Sequence, residues 1–333
     1  MLKRQLGKSG IEVSPLGLGG MPLGGEMRSG EGDNEYRFFL GEVNDDESIR
    51  TIHKALDLGV NFFDTAPAYG AGHSEHLLGQ AFAGRRDKVI IATKFGKKIN
   101  EEKKWFGRYT NNNEVIKNIR YECDGSLRRL KTDYIDLYQF HLPDFPLVQA
   151  AEVRGTLEEL VSEGKIRFYG WSTNDPERGR FFARGEHCAA IQLRLNVIED
   201  APELLDICNE YNQASIIRGP LASGFLTGKY TPDNLDDLLS ADDFRLQYRD
   251  HTLKILESFG AIQDILTRDG RTLVQGALAW IWARSNRTIP IPGFRTEAQV
   301  EENIKAMEFG PLQKEQMNQI DDILKDIKGV TES

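Results

Sequence analysis

Eight short apolar runs, each followed by a stretch of helical spacing, organise most of this chain. The runs are residues 14–18, 61–64, 89–94, 135–141, 166–172, 190–193, 215–219 and 288–290. They are rich in Ile, Val, Phe and Leu with little alternation, as strands buried on both faces are. Helical patterns fall at 45–58, where Ile49, Ile52, Ala55 and Leu56 recur on one face, and at 74–82, behind a Ser74 suited to an N-cap. They continue at 115–130, 149–163, 176–184, 202–211 and 272–284, with Pro176 and Pro202 where a first turn tolerates proline. Eight strand–helix units predict a parallel sheet, and a closed (β/α)8 barrel is the natural solution at that count. An open doubly wound sheet is the rival. A dinucleotide-binding version of it would carry G-x-G-x-x-G after the first strand, and none is present.

Three pieces depart from the alternation. Residues 4–13 read as a β-hairpin turning at Lys8-Ser9-Gly10 and capping one barrel end. Residues 95–112 and 222–250 read as long loops, which in a compact barrel serve as lids or are mobile. Extra helices are expected at the C-terminus. With 333 residues, 40% hydrophobic and 28% charged, the chain can bury a large core. The length alone would allow two domains, but barrels of this size form one, so residues 1–333 are read as a single barrel domain.

The formal net charge of −9 makes nucleic acid and anionic membrane poor general partners, while leaving room for a local basic pocket. Cys123, Cys188 and Cys208 are widely spaced, so neither a zinc site nor a disulfide framework is indicated. No signal peptide and no bilayer-spanning run is visible, and a cytoplasmic setting is expected. The sequence carries no signal for oligomeric state.

Active sites of such barrels lie at the C-terminal ends of the strands. Asp64, Lys94 and His141 end three of the candidate strands, and Tyr69 lies just past Asp64. Singly, each has an ordinary reading: a structural ion pair, a satisfied core histidine, a packing tyrosine. Together at one mouth they fit carbonyl reduction, which needs a hydride at carbon and a proton at oxygen. Tyr69 would give the proton, Lys94 would lower the tyrosine's pKa, Asp64 would keep Lys94 charged, and His141 would orient the carbonyl.

At these residues the chain resembles the aldo-keto reductases, from about Leu6 to Asn303. The resemblance runs through Arg4-Gln5-Leu6-Gly7, Gly59-Val60-Asn61-Phe62-Phe63-Asp64-Thr65-Ala66 with Tyr69-Gly70, and Asp133-Tyr134-Ile135-Asp136-Leu137-Tyr138 with His141. It continues through Gly170-Trp171-Ser172, Leu226-Thr227-Gly228-Lys229 and Ile289-Pro290-Ile291-Pro292-Gly293-Phe294-Arg295. It implies an Asp–Tyr–Lys–His tetrad, filled by Asp64, Tyr69, Lys94 and His141, and NADPH as cofactor. Ser172 and Gln192 match the side chains that hold the nicotinamide carboxamide. Thr173 stands where many relatives have Asn, which here comes one step later as Asn174. Arg218 stands where many relatives stack a tyrosine on the nicotinamide. Pro220, Leu221, Leu226, Gly228 and Lys229 resemble the pyrophosphate-covering segment. Gly293, Arg295, Gln299 and Asn303 resemble the adenosine-phosphate site, with Arg295 facing the 2′-phosphate and a helix beginning near Thr296. Loop residues Met21, Trp105, Phe106 and Phe145 would line the substrate pocket.

Two other functions share this frame. One is a cofactor-binding regulatory subunit, resembling the β subunits of potassium channels, although no partner-binding extension is visible. The other is a Schiff-base aldolase using Lys94 as nucleophile, which Asp64 beside it opposes because such a lysine must be neutral.

Overall fold

In the computed structural model, which describes residues 3–30, 35–38, 42–239, 243, 245 and 249–331, eight parallel strands form one sheet. They are Leu18–Gly19, Phe62–Asp64, Ile90–Phe95, Ile135–Phe140, Ile166–Ser172, Cys188–Arg194, Ala214–Arg218 and Thr288–Pro290. The sheet closes on itself. The Gly17 N–H donates to Pro290 O and the Gly19 N–H to Pro292 O, both at 3.0 Å, with a parallel bridge between Gly19 and Gly293. Closure removes the open-sheet alternative. The first strand is shorter than expected and begins later, because Ser14 turns back to bond Leu16 O (2.6 Å) rather than pairing in the sheet.

The hairpin at the N-terminus forms as expected, with Arg4 opposite Val13 and Gln5 opposite Glu12. Its fully buried Leu6 belongs to an apolar plug with Phe62, Ala92, Leu137, Ala190 and Ile216. Gly7 permits this approach: at φ +54, a Cβ there would lie 2.2 Å from Ala189 O.

The helices carry the caps that their sequences encode. Asn44, Asn111, Asp175 and Thr296 each accept the N–H three residues on, and Thr272 with Gln275 forms a reciprocal capping box. Pro176 and Pro202 open their helices. Ser74 is not a cap. The helix is His73–Ala81 with Gly72 at its N-cap, and the buried Ser74 hydroxyl donates to Gly20 O at 2.9 Å. The segment 95–112 is not a loop either. Lys98–Asn100 and Trp105–Gly107 form an antiparallel hairpin that joins Met27–Ser29 and Tyr36–Phe38 in a four-stranded sheet. Within 222–250 the chain forms a 3-10 turn at Ala222–Thr227 and a short helix at Leu235–Leu238. Residues 240–242, 244 and 246–248 of that segment lie outside the described residues. The extra C-terminal helices are Glu297–Phe309 and Lys314–Thr331. Among the described residues, no helix is long and apolar enough to cross a membrane.

Candidate active site

Strand alternation builds the site. Phe62, Ala92, Leu137, Ala190 and Ile216 point into the barrel. Two residues further along each strand, side chains face inward again. Those positions hold Asp64, Lys94, Gln139, Gln192 and Arg218. The interior therefore passes from an apolar floor to a polar mouth within one step per strand.

Lys94 is fully buried and uses all three of its N–H donors. Nζ lies 2.5 Å from Asp64 Oδ1, 2.8 Å from Thr65 O and 3.2 Å from the Tyr69 hydroxyl. Burial works against the ammonium, but Asp64 and Tyr69 outweigh it, so the Lys94 pKa lies above the ordinary lysine value. The other Asp64 oxygen accepts from Gln139 Nε2 (2.9 Å) and Gln192 Nε2 (2.8 Å).

Tyr69 sits in the turn after Asp64, with Gly70 pressed on Gly24, where a Cβ would lie 2.0 Å from Gly24 O. Its ring meets the His141 ring edge-on, 6.2 Å between centroids at 88°. The expected lowering of its pKa is not what the site produces. Burial raises it and Asp64 adds to the rise, while Lys94 opposes without prevailing. Tyr69 is thus a neutral phenol at neutral pH, a proton donor ready for use. His141 follows the strand Ile135–Phe140, its N–H bonded to Phe95 O at 2.9 Å. Burial, then the charges of Lys97, Lys94 and Arg218, hold its pKa well below the usual imidazole range. It is a neutral imidazole with one N–H to donate.

The expected cofactor residues lie at the same barrel end, on or just past the later strands. Ser172 is buried and its hydroxyl lies 3.4 Å from Gln192 Oε1, but the Gln192 amide is turned to Asp64. Thr173 is buried and its hydroxyl donates to Pro143 O at 3.0 Å. The half-buried Arg218 donates from Nη2 to Asn174 Oδ1 at 2.8 Å, a neutral partner rather than an acid. Pro220 is buried, Leu221 half-buried and Leu226 fully buried, so Leu226 can offer a ligand only its backbone. Gly228 has φ +78 at the end of its turn, and Lys229 is exposed. Gly293 is exposed beside the closing bridge. Arg295 and Gln299 line a cavity of about 170 Å³ at the Thr296-capped helix start, together with Glu42 and Glu47. Gln299 Oε1 accepts the Arg295 N–H at 2.8 Å, and Asn303 is buried.

Sequence reading missed three residues. Gln139 shares the inward parity of Leu137, and that parity was the available signal. Glu122, buried on the helix Asn112–Leu130, accepts the Gly96 N–H at 2.9 Å and the Tyr109 hydroxyl at 3.0 Å. Lys97 lies half-buried just past Lys94. Neither of the last two belongs to a motif. Phe145, expected at the pocket, is instead buried in the core 5.0 Å from Phe140. Met21, Trp105 and Phe106 are half-buried.

A closed eight-stranded barrel with a buried Lys–Asp pair, a tyrosine and a neutral histidine at its C-terminal mouth defines a class of barrel oxidoreductase. The family model for the aldo/keto reductase family matches residues 15–325, and the chain belongs to that family. Aldo-keto reductase YhdN of Bacillus subtilis is 34% identical over 304 residues, covering 88% of this chain and 85% of that protein. The NADH-specific methylglyoxal reductase of Escherichia coli is 32% identical, covering 92% of this chain and 94% of that one. The crystal structure of an aldo-keto reductase from Klebsiella pneumoniae in complex with NADPH superposes with a TM-score of 0.69 at 26% identity, covering 97% of this chain and 96% of that one.

Proposed function

We propose that this protein reduces an aldehyde or ketone to the alcohol, with NADPH as reductant and Tyr69 as general acid. The observation that carries the reading is the fully buried Lys94 ammonium held between the Asp64 carboxylate and the Tyr69 hydroxyl. A lysine at that position cannot be supported by packing alone, because burying a charge is costly unless it is paired. Its location next to the phenol gives it work: as Tyr69 releases its proton to the carbonyl oxygen, the ammonium stabilises the phenolate left behind. Asp64 keeps Lys94 charged throughout, which argues against an amine nucleophile. His141, neutral, donates an N–H to the same carbonyl oxygen and fixes its distance from Tyr69.

The cofactor reading draws on the Klebsiella relative's NADPH and on the chemistry of the donor set. Arg295 and the backbone N–H groups at the helix start suit a phosphate, and Lys229 adds exposed positive charge. From the later strands, Gln192 bonds Asp64 directly and Ser172 lies 3.4 Å from Gln192. NADPH, when bound, supplies the hydride. The barrel supplies position, a proton and exclusion of water.

The experiment is a panel of simple aldehydes with purified protein, followed by loss of NADPH absorbance, on wild type and Tyr69→Phe. The variant keeps the ring and loses the proton. Turnover is expected to fall by a factor on the order of 10²–10⁴, with NADPH binding little changed. Near-normal turnover in Tyr69→Phe would sink the mechanism.

A further inference from the structure

Lys94, Lys97 and Arg218 all act on His141 at the barrel mouth, although the chain is acidic overall. Lys97 lies three residues past Lys94, where the segment Gly96-Lys97 runs beside His141: the parallel register pairs Phe95 with Phe140, and the His141 N–H bonds Phe95 O. Glu122 holds this segment from behind through the Gly96 N–H. Lys97 Nζ rests 5.2 Å from the Phe106 ring centroid. Among the described residues, no hydrogen bond or ion pair joins the Lys97 ammonium to an acid, although its backbone N–H bonds Glu122. The charges that act most strongly on its ammonium are of its own sign, Arg108 from the hairpin side, Lys94 from the preceding strand and Arg218 from across the mouth, with Asp144 opposing them; Glu122, which lines the same cavity, is engaged with the Gly96 and Lys97 backbone. Asp144 already pairs with Arg108 at 3.2 Å, and Arg218 is bonded to the neutral Asn174.

A half-buried ammonium with no carboxylate of its own, set among like charges, is an unfavourable arrangement for the protein alone. An anion that arrives with the substrate would relieve it. We infer that the substrate is a carbonyl compound that itself carries a carboxylate, and that Lys97 is the residue that binds this carboxylate while His141 and Tyr69 engage the carbonyl oxygen. The inference rests on the reductase reading and sharpens it to a substrate class. Burial and the neighbouring cations push the Lys97 pKa down to about 8, so the ammonium is present at neutral pH and is lost just above it. Anion binding at this position would raise it again.

Matched pairs of aldehydes test this. Wild type should reduce 4-carboxybenzaldehyde with a kcat/KM roughly tenfold or more above that for its methyl ester, the span of one charge-assisted hydrogen bond. Lys97→Met should bring that ratio to about one, chiefly through KM for the acid. Lys103→Met, which removes an exposed lysine from the adjacent hairpin, should keep the wild-type ratio. The wild-type ratio should also fade as pH rises through about 8. Equal or better use of the ester by wild type, or an unchanged ratio in Lys97→Met, overturns the inference and leaves carbonyl reduction standing. If neither aldehyde is reduced, the reductase reading itself falls. Calorimetric titration of 4-carboxybenzoate into wild type and Lys97→Met then decides the anion site alone: weaker binding in the variant supports it, and equal binding refutes it.

Discussion

Replacing Glu122 by Gln should make the protein's stability less sensitive to alkaline pH. Glu122 is 8% exposed on the helix Asn112–Leu130. Burial raises its pKa from the ordinary 4.5 to about 7, against the opposing pull of the Gly96 N–H and the Tyr109 hydroxyl. The folded state thus favours the neutral carboxyl. A carboxyl raised in this way contributes stability that is fully present below about pH 4.5 and is lost as pH climbs through about 7. The shift corresponds to about 3 kcal/mol between the two limits. Gln keeps an oxygen for the Gly96 N–H and turns its amide toward the Tyr109 oxygen, so the contacts survive while the titration disappears. Urea unfolding of both proteins at several pH values between about 4.5 and 8.5 isolates the effect, because every other group titrates alike in the two. The stability of Glu122→Gln relative to wild type should rise by about 3 kcal/mol across that range. Parallel pH curves would mean that water reaches the carboxylate and that its burial has been overstated.

Asp64→Asn should leave Lys94 buried beside a neutral amide, lowering stability by about 3–5 kcal/mol in denaturant unfolding near neutral pH and abolishing turnover. Arg295→Ala should weaken NADPH binding roughly tenfold or more with little effect on NADH, read by cofactor fluorescence titration. Equal loss for both cofactors would place Arg295 away from the 2′-phosphate. Arg218→Tyr should tighten NADP⁺ more than NADPH, since a fixed positive charge about 4 Å from an oxidised nicotinamide would cost up to roughly 4 kcal/mol before screening. An unchanged affinity ratio would show that its bond to Asn174 keeps the guanidinium off the ring.

The barrel strands were legible because burial on both faces leaves a near-continuous apolar run, and seven of the eight fall within about two residues of their expected ends. The first strand was blurred by Ser14, whose turn looks apolar from Pro15 to Leu18. The hairpin Lys98–Asn100 and Trp105–Gly107 was illegible for a different reason. Its strands are three residues each and owe their sheet to partners near residues 28 and 37, a pairing no local pattern encodes. Asp64, Lys94, Tyr69 and His141 were found from their positions at strand ends. The direction of the Tyr69 shift was not, because it turns on how deeply the phenol is buried, which only the packed structure supplies. Gln139 was available from parity alone, hidden because an uncharged amide in a strand draws no notice.

The seam that closes the barrel also sets a clock. Trp282 Nε1 donates to Pro15 O across 267 residues, beside the Gly17–Pro290 and Gly19–Pro292 bonds. At a synthesis rate of about 5–20 residues per second, the nascent first strand waits roughly 13–53 s for its last neighbour to be made. Until then Leu18 and Gly19 carry a bare strand edge, and Leu6 has no finished floor to enter. The first strand can pair early with Phe62–Asp64 but gains its other neighbour only when Thr288–Pro290 is made, and the unfinished barrel must be kept from pairing with another chain until then.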